Sequence, residues 1–132
     1  MERITAEKMN ELANRFLILG SLLGQFRREN YSQLAPSQNK ALEQMCSKIL
    51  NYANDNFTWS SQLIMEDADR SLIALGRVTE QIKATLNSLN EIQYAIDVAA
   101  SVVALGGSIV DHNPKAILLA LQNLESKSAK VL

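Results

Sequence analysis

Apolar residues recur along the first part of the chain at alternating steps of three and four: Met9, Leu12, Phe16, Leu19, Leu23 and Phe26. That spacing marks one face of a helix packed along its whole length. Leu17, Ile18 and Leu22 widen the stripe, so more than one neighbour is expected. Thr5 is placed to cap the helix, and Ile4 with Met9 has the spacing of a hydrophobic staple. Gly20 and Gly24 read as points of close helix approach, and Arg27 and Arg28 complement the helix dipole at the far end.

The stretch Asn30–Pro36 is a connection, because the residue before proline is steered away from helical geometry. A second helix restarts at Pro36 or Ser37, with Leu42, Met45 or Cys46, Ile49, and Tyr52 or Ala53 on its apolar face. Asn51–Thr58 is rich in asparagine and aspartate, which compete with helix by bonding to nearby backbone. A break is expected there, with Asp55 or Thr58 capping the next helix. The alternative is one long rod, since Tyr52 and Trp59 keep the helical spacing. The pattern then runs through Leu63, Leu72, Leu75, Val78, Ile82, Leu86 and Leu89. It lapses only at Glu66–Arg70, a turn expected to face solvent or a partner's basic group. Unbroken, Trp59–Val110 would be about 78 Å long. A bend near Asn87–Asn90, an elongated shape or self-association is therefore expected.

The most apolar run is Ile92–Val110, and its only formal charge is Asp97. Ile92, Ile96, Ala99, Val103 and Val110 lie on one face, while Val98, Val102, Leu105 and Ile109 lie on another. A helix apolar on most sides is buried on most sides, in protein or in lipid. A transmembrane span needs about 20 mostly apolar residues, and this run is bounded by Glu91 and Asp111. The inner helix of a soluble bundle is the preferred reading. Asp97 needs a partner in such surroundings. Arg15, Lys40, Lys48 or a second subunit could supply it, and the functional alternative is a protonation switch. Asn113 and Pro114 then open a final helix, with Ile117, Leu118, Leu121 and Leu124 on one face.

An apolar helix with small residues and a Gly-Gly, a polar turn, and a second apolar helix resembles the hydrophobic hairpin of α-helical pore-forming toxins. The resemblance covers Ile92–Leu124 alone. It implies a hairpin that leaves the bundle and enters a membrane.

Composition narrows the remaining classes. The chain has 132 residues, 47% apolar and 20% charged, with a formal net charge of −1. These values suit a single globular domain, residues 1–132, and give no basic stripe for nucleic acid. The first sixteen residues lack the apolar core of a secretory signal. The expected location is therefore cytoplasmic, with export by a route that leaves no signal still open. Cys46 excludes an intramolecular disulfide and reads as a buried structural thiol.

Little catalytic chemistry is legible. The single histidine, His112, lies in a polar turn, so the Glu-x-x-His pairs of a di-iron bundle and the ligand set of zinc are both missing. Haem ligation by His112 is weaker than its reading as a solvated turn residue. No Gly-x-Ser-x-Gly or glycine-rich phosphate loop is present. Glu66, Asp67 and Asp69 lack the order of a calcium loop. No cofactor, metal or small-molecule substrate is expected, and no enzymatic activity.

The sequence thus predicts an all-α fold, an elongated antiparallel bundle of three to five helices with coiled-coil-like spacing. It predicts a non-enzymatic interaction or scaffold protein, a homo-oligomer or the binder of another protein, with Phe16, Leu19, Leu23, Ile96 and Val103 as anchors of a core or an interface. Insertion of the 92–124 hairpin into a membrane is the alternative.

Overall fold

The computed structural model describes residues 5–56, 64–85, 92–111 and 113–128. Among them the chain is all-α. Five helices are present: α1 (Ala6–Glu29), α2 (Pro36–Asn51), α3 (Met65–Thr85), α4 (Ile92–Val110) and α5 (Pro114–Ser128).

Local chemistry sets the helix ends. The Thr5 hydroxyl accepts from the Lys8 N–H at 3.1 Å and starts α1. Its end is held by Asn30, which is buried and donates from its amide to the Phe26 carbonyl at 2.9 Å. A short 3₁₀ turn, Tyr31–Gln33, leads to Ala35, which is extended at φ −64°, ψ 153°. Pro36 opens α2, and the Gln38 side chain reaches back to accept from the Ala35 N–H at 2.9 Å. Asn113 caps α5 by accepting from the Ala116 N–H at 3.2 Å, with Pro114 in the first turn. Ile4 lies outside the described residues, and so does the staple expected from it.

The helices run up and down in sequence order. Gly20 of α1 meets Leu50 of α2, while Arg27 meets Glu43, so the two are antiparallel. The Tyr94 hydroxyl on α4 donates to Gln81 Oε1 on α3. Residues thirteen apart would be about 20 Å apart on one straight helix, so the chain reverses between α3 and α4 and no long rod forms. α4 and α5 form the expected hairpin, tied by a 3.2 Å bond from Asn123 to the Ser101 hydroxyl. In space α1 lies between α2 and α3, α4 packs on α2 and α5, and α5 closes the ring against α3.

The expected stripe of α1 is the heart of the core: Leu12, Phe16, Leu19, Leu23 and Phe26 are all buried, with Met9 packed at its end. Leu42, Cys46 and Ile49 answer from α2, and Leu75 and Val78 from α3. The hydroxyls carried inward are satisfied locally. Ser71, Thr79 and Ser101 each donate to the carbonyl four residues earlier, at 2.7, 2.6 and 3.0 Å.

After α2 the chain widens into a π-helical turn, Tyr52–Asn56. Helix thus continues into the asparagine-rich stretch with altered winding, where a break was expected. The capping role of Thr58 and the spacing of Trp59 and Leu63 fall outside the described residues, as do Asn87–Asn90.

Candidate functional site

Phe16, Leu19 and Leu23 are fully buried in the chain's own core. Ile96 and Val103 on α4 are partly buried and pack against that core. The five expected anchors therefore belong to one packed unit.

Its most specific contact joins three helices. Tyr52, in the first position of the π-helical turn, lays its ring over Gly106 of α4, where any Cβ would collide with the ring. Its hydroxyl donates to the Val103 carbonyl at 3.2 Å. Its edge meets Phe16 of α1, with ring centroids 6.0 Å apart at 81°. Burial, helped by Asp111 nearby, raises the Tyr52 phenol above its ordinary pKa. An aromatic ring, and not a helix backbone, fills the space beside Gly106. Gly20 is a true helix–helix approach, with Leu50 and Ile49 where a Cβ would stand. Gly24 is not: a Cβ there would meet only Arg28 of its own helix.

Asp97 finds a partner one turn away. Its carboxylate accepts from the Gln93 amide at 2.9 Å, and none of Arg15, Lys40 or Lys48 pairs with it among the described residues. Two residues of the acidic turn Glu66–Arg70 meet charges of their own chain. Asp69 lies 3.3 Å from Lys8 of α1, and Arg70 grips Glu125 of α5 at 2.7 Å. Asp67 is partly covered, which raises its carboxyl pKa against the opposing pull of Arg70.

Cys46 is buried, and burial pushes its thiol up to about 11, so it is a poor nucleophile at neutral pH. It lies at the edge of a groove of about 380 Å³ between α1 and α2, where Arg27 pairs with Glu43 at 2.7 Å. Among the described residues no three His, Cys, Asp or Glu side chains converge on a point that could hold a metal ion. His112 lies outside them. By length and composition α4 is able to cross a membrane, with 19 residues and a mean hydropathy of 1.5. In this fold it packs against α2 and α5.

A second groove, of about 530 Å³, opens between α1 and α3. Arg15, Leu72, Gly76 and Arg77 line it. A Cβ on Gly76 would meet nothing within 4 Å. Ile73 stands beside it, 58% exposed. The sequence pattern did not single out this surface, because Ile73 and Gly76 lie off the apolar stripe of α3. The signal was present as an aliphatic residue on the helix's polar side.

Comparison with protein-family models, with curated proteins and with solved structures found no match to this chain.

Proposed function

We propose that this is a non-enzymatic interaction protein that self-associates through apolar patches on its helices. The observation that carries the reading is the exposure of large aliphatic side chains in the middle of helices. Ile73 of α3 is 58% exposed and Leu119 of α5 is 66% exposed, with Leu118 and Leu17 close behind. Each would gain about 25 cal/mol for every Å² removed from water. The full burial of Phe16, Leu19 and Leu23 refines the mechanism. They build the unit, and other side chains meet the partner. The chemistry of Cys46 supports a non-enzymatic role, since its thiol is held protonated. Sedimentation equilibrium over a range of concentrations tests the reading. A mass above that of one chain, rising with concentration, is expected; a constant single-chain mass overturns it.

The membrane reading rests on the length and hydropathy of α4. It predicts that the purified protein floats with liposomes at neutral or mildly acidic pH. It also predicts that Val103→Asp leaves a folded protein that no longer floats. If Val103→Asp unfolds the protein and the wild type stays with the soluble fraction, α4 serves as core.

A further inference from the structure

We infer that the exposed face of α3 is the self-association surface, and that its occupant is α3 of a second copy lying antiparallel. The inference rests on the proposed self-association and names where it happens. Glu66, Asp69, Ile73, Gly76, Arg77, Glu80 and Lys83 recur at helical spacing on one side of α3. All but the partly covered Gly76 are exposed. The face has an acidic beginning, an apolar and open middle, and an end that carries Arg77 and Lys83.

Such a gradient complements itself when reversed. If Ile73 of one chain sits over Gly76 of the other, the two-fold requires the same contact a second time. Glu66 lies seven residues before Ile73 and Lys83 seven after Gly76, so each Glu66 then stands opposite Lys83 of the other chain. Arg77 comes within about one turn of Asp69 across the interface. Glu80 faces Asp69 of the other chain, but each carries its own cation: Lys83 lies 3.6 Å from Glu80, and Lys8 lies 3.3 Å from Asp69. The hollow at Gly76 admits the Ile73 side chain, because nothing stands within 4 Å of where a Cβ would be. Arg15 and Arg77 at the groove have no ion-pair partner among the described residues, so both are free to serve the acidic end of a second copy. An unrelated apolar segment would satisfy Ile73 and leave these charges without partners.

The test is sedimentation equilibrium of the wild type and four variants: Glu66→Lys, Lys83→Glu, the two together, and Gly76→Gln. All sit at exposed or open positions, and circular dichroism checks that the fold is kept. Each single charge reversal should raise the dimer dissociation constant about tenfold. The double reversal should restore it, because the pair is re-formed with its signs exchanged. Gly76→Gln should abolish the dimer by filling the hollow while leaving the monomer folded. If the wild type associates and all four variants associate equally, the α3 face is wrong and self-association itself stands. If the wild type is a single chain at every concentration, both readings fall.

Discussion

α1 and α4 both feed the core, and they are buried by different means. α1 inserts large side chains at alternating steps of three and four, from Leu12 to Phe26. α4 is much the more apolar, yet half of its buried positions are small: Ala95, Ala99, Ser101 and Gly106. One helix holds the core by knobs and the other by close approach. Hydropathy alone does not reveal this difference, since the packing of α1 depends on shape and that of α4 on the absence of side chains.

The largest effect should come from α1. Phe16→Ala removes a fully buried ring and the edge contact to Tyr52. A loss of about 3–5 kcal/mol is expected, the usual cost of emptying a buried aromatic site. Urea denaturation measures it. A loss as small as that of an exposed position such as Leu17→Ala would mean that α1 is not the anchor described here.

In α4 the vulnerable positions are those where nothing can be added. Gly106→Ala puts a methyl group into the Tyr52 ring. Overpacking of this kind costs about 1–3 kcal/mol, which outweighs the roughly 1 kcal/mol that alanine gains over glycine in a helix. Gly76→Ala in α3 makes the same chemical change in open space, so only the gain remains and stability should rise by up to about 1 kcal/mol. Thermal unfolding of the two variants should therefore shift in opposite directions. Equal shifts would show that Tyr52 moves aside freely and that Gly106 has no packing role.

These contrasts explain what could be read without the structure. The stripe of α1 and the caps at Thr5 and Asn113 were legible because they depend on neighbours in sequence. The hairpin of α4 and α5 was legible because Asn113-Pro114 marks its turn. The Tyr52–Gly106 contact was not, since it joins residues far apart in sequence through a π-helical turn that pattern reading took for a break. Nor was the pairing of Lys8 with Asp69 and of Arg70 with Glu125. A polar turn looks solvated until the fold brings opposite charges beside it. The expected cationic partners of Asp97 failed for the reverse reason, because Gln93 one turn away already meets it.

Cys46 offers a smaller test of how dry the seam between α1 and α2 is. Its thiol is raised from 9.0 to about 11, first by burial, while Arg27 and Arg28 oppose the shift. The unfolded chain therefore loses this proton before the folded one. The contribution is fully present below pH 9.0 and is lost as the pH rises toward 11. The slope cannot exceed about 1.4 kcal/mol per pH unit from this group. Tyr52 is raised as well and adds loss of the same sign at alkaline pH. Comparing the alkaline stability profiles of wild type and Cys46→Ala isolates the cysteine. Identical slopes would place the thiol in contact with water.

The smallest effect belongs to the ion pair that ties α3 to α5. Arg70 and Glu125 lie 2.7 Å apart, and their side chains are 31% and 36% exposed. At that exposure water and salt screen the pair, and Glu125→Gln should cost only about 0.5 kcal/mol. The cost should fall further as salt is added. Both α1 and α4 are held by apolar packing in which this pair takes no part, so neither should respond to its loss. Amide hydrogen exchange makes that visible. Protection should drop in α5 and in the first turns of α3 while the amides around Phe16 and Val102 keep theirs. A drop spread evenly over all helices would show that the ring of helices opens as one unit, and that the knobs of α1 and the close approach of α4 are not separately stable.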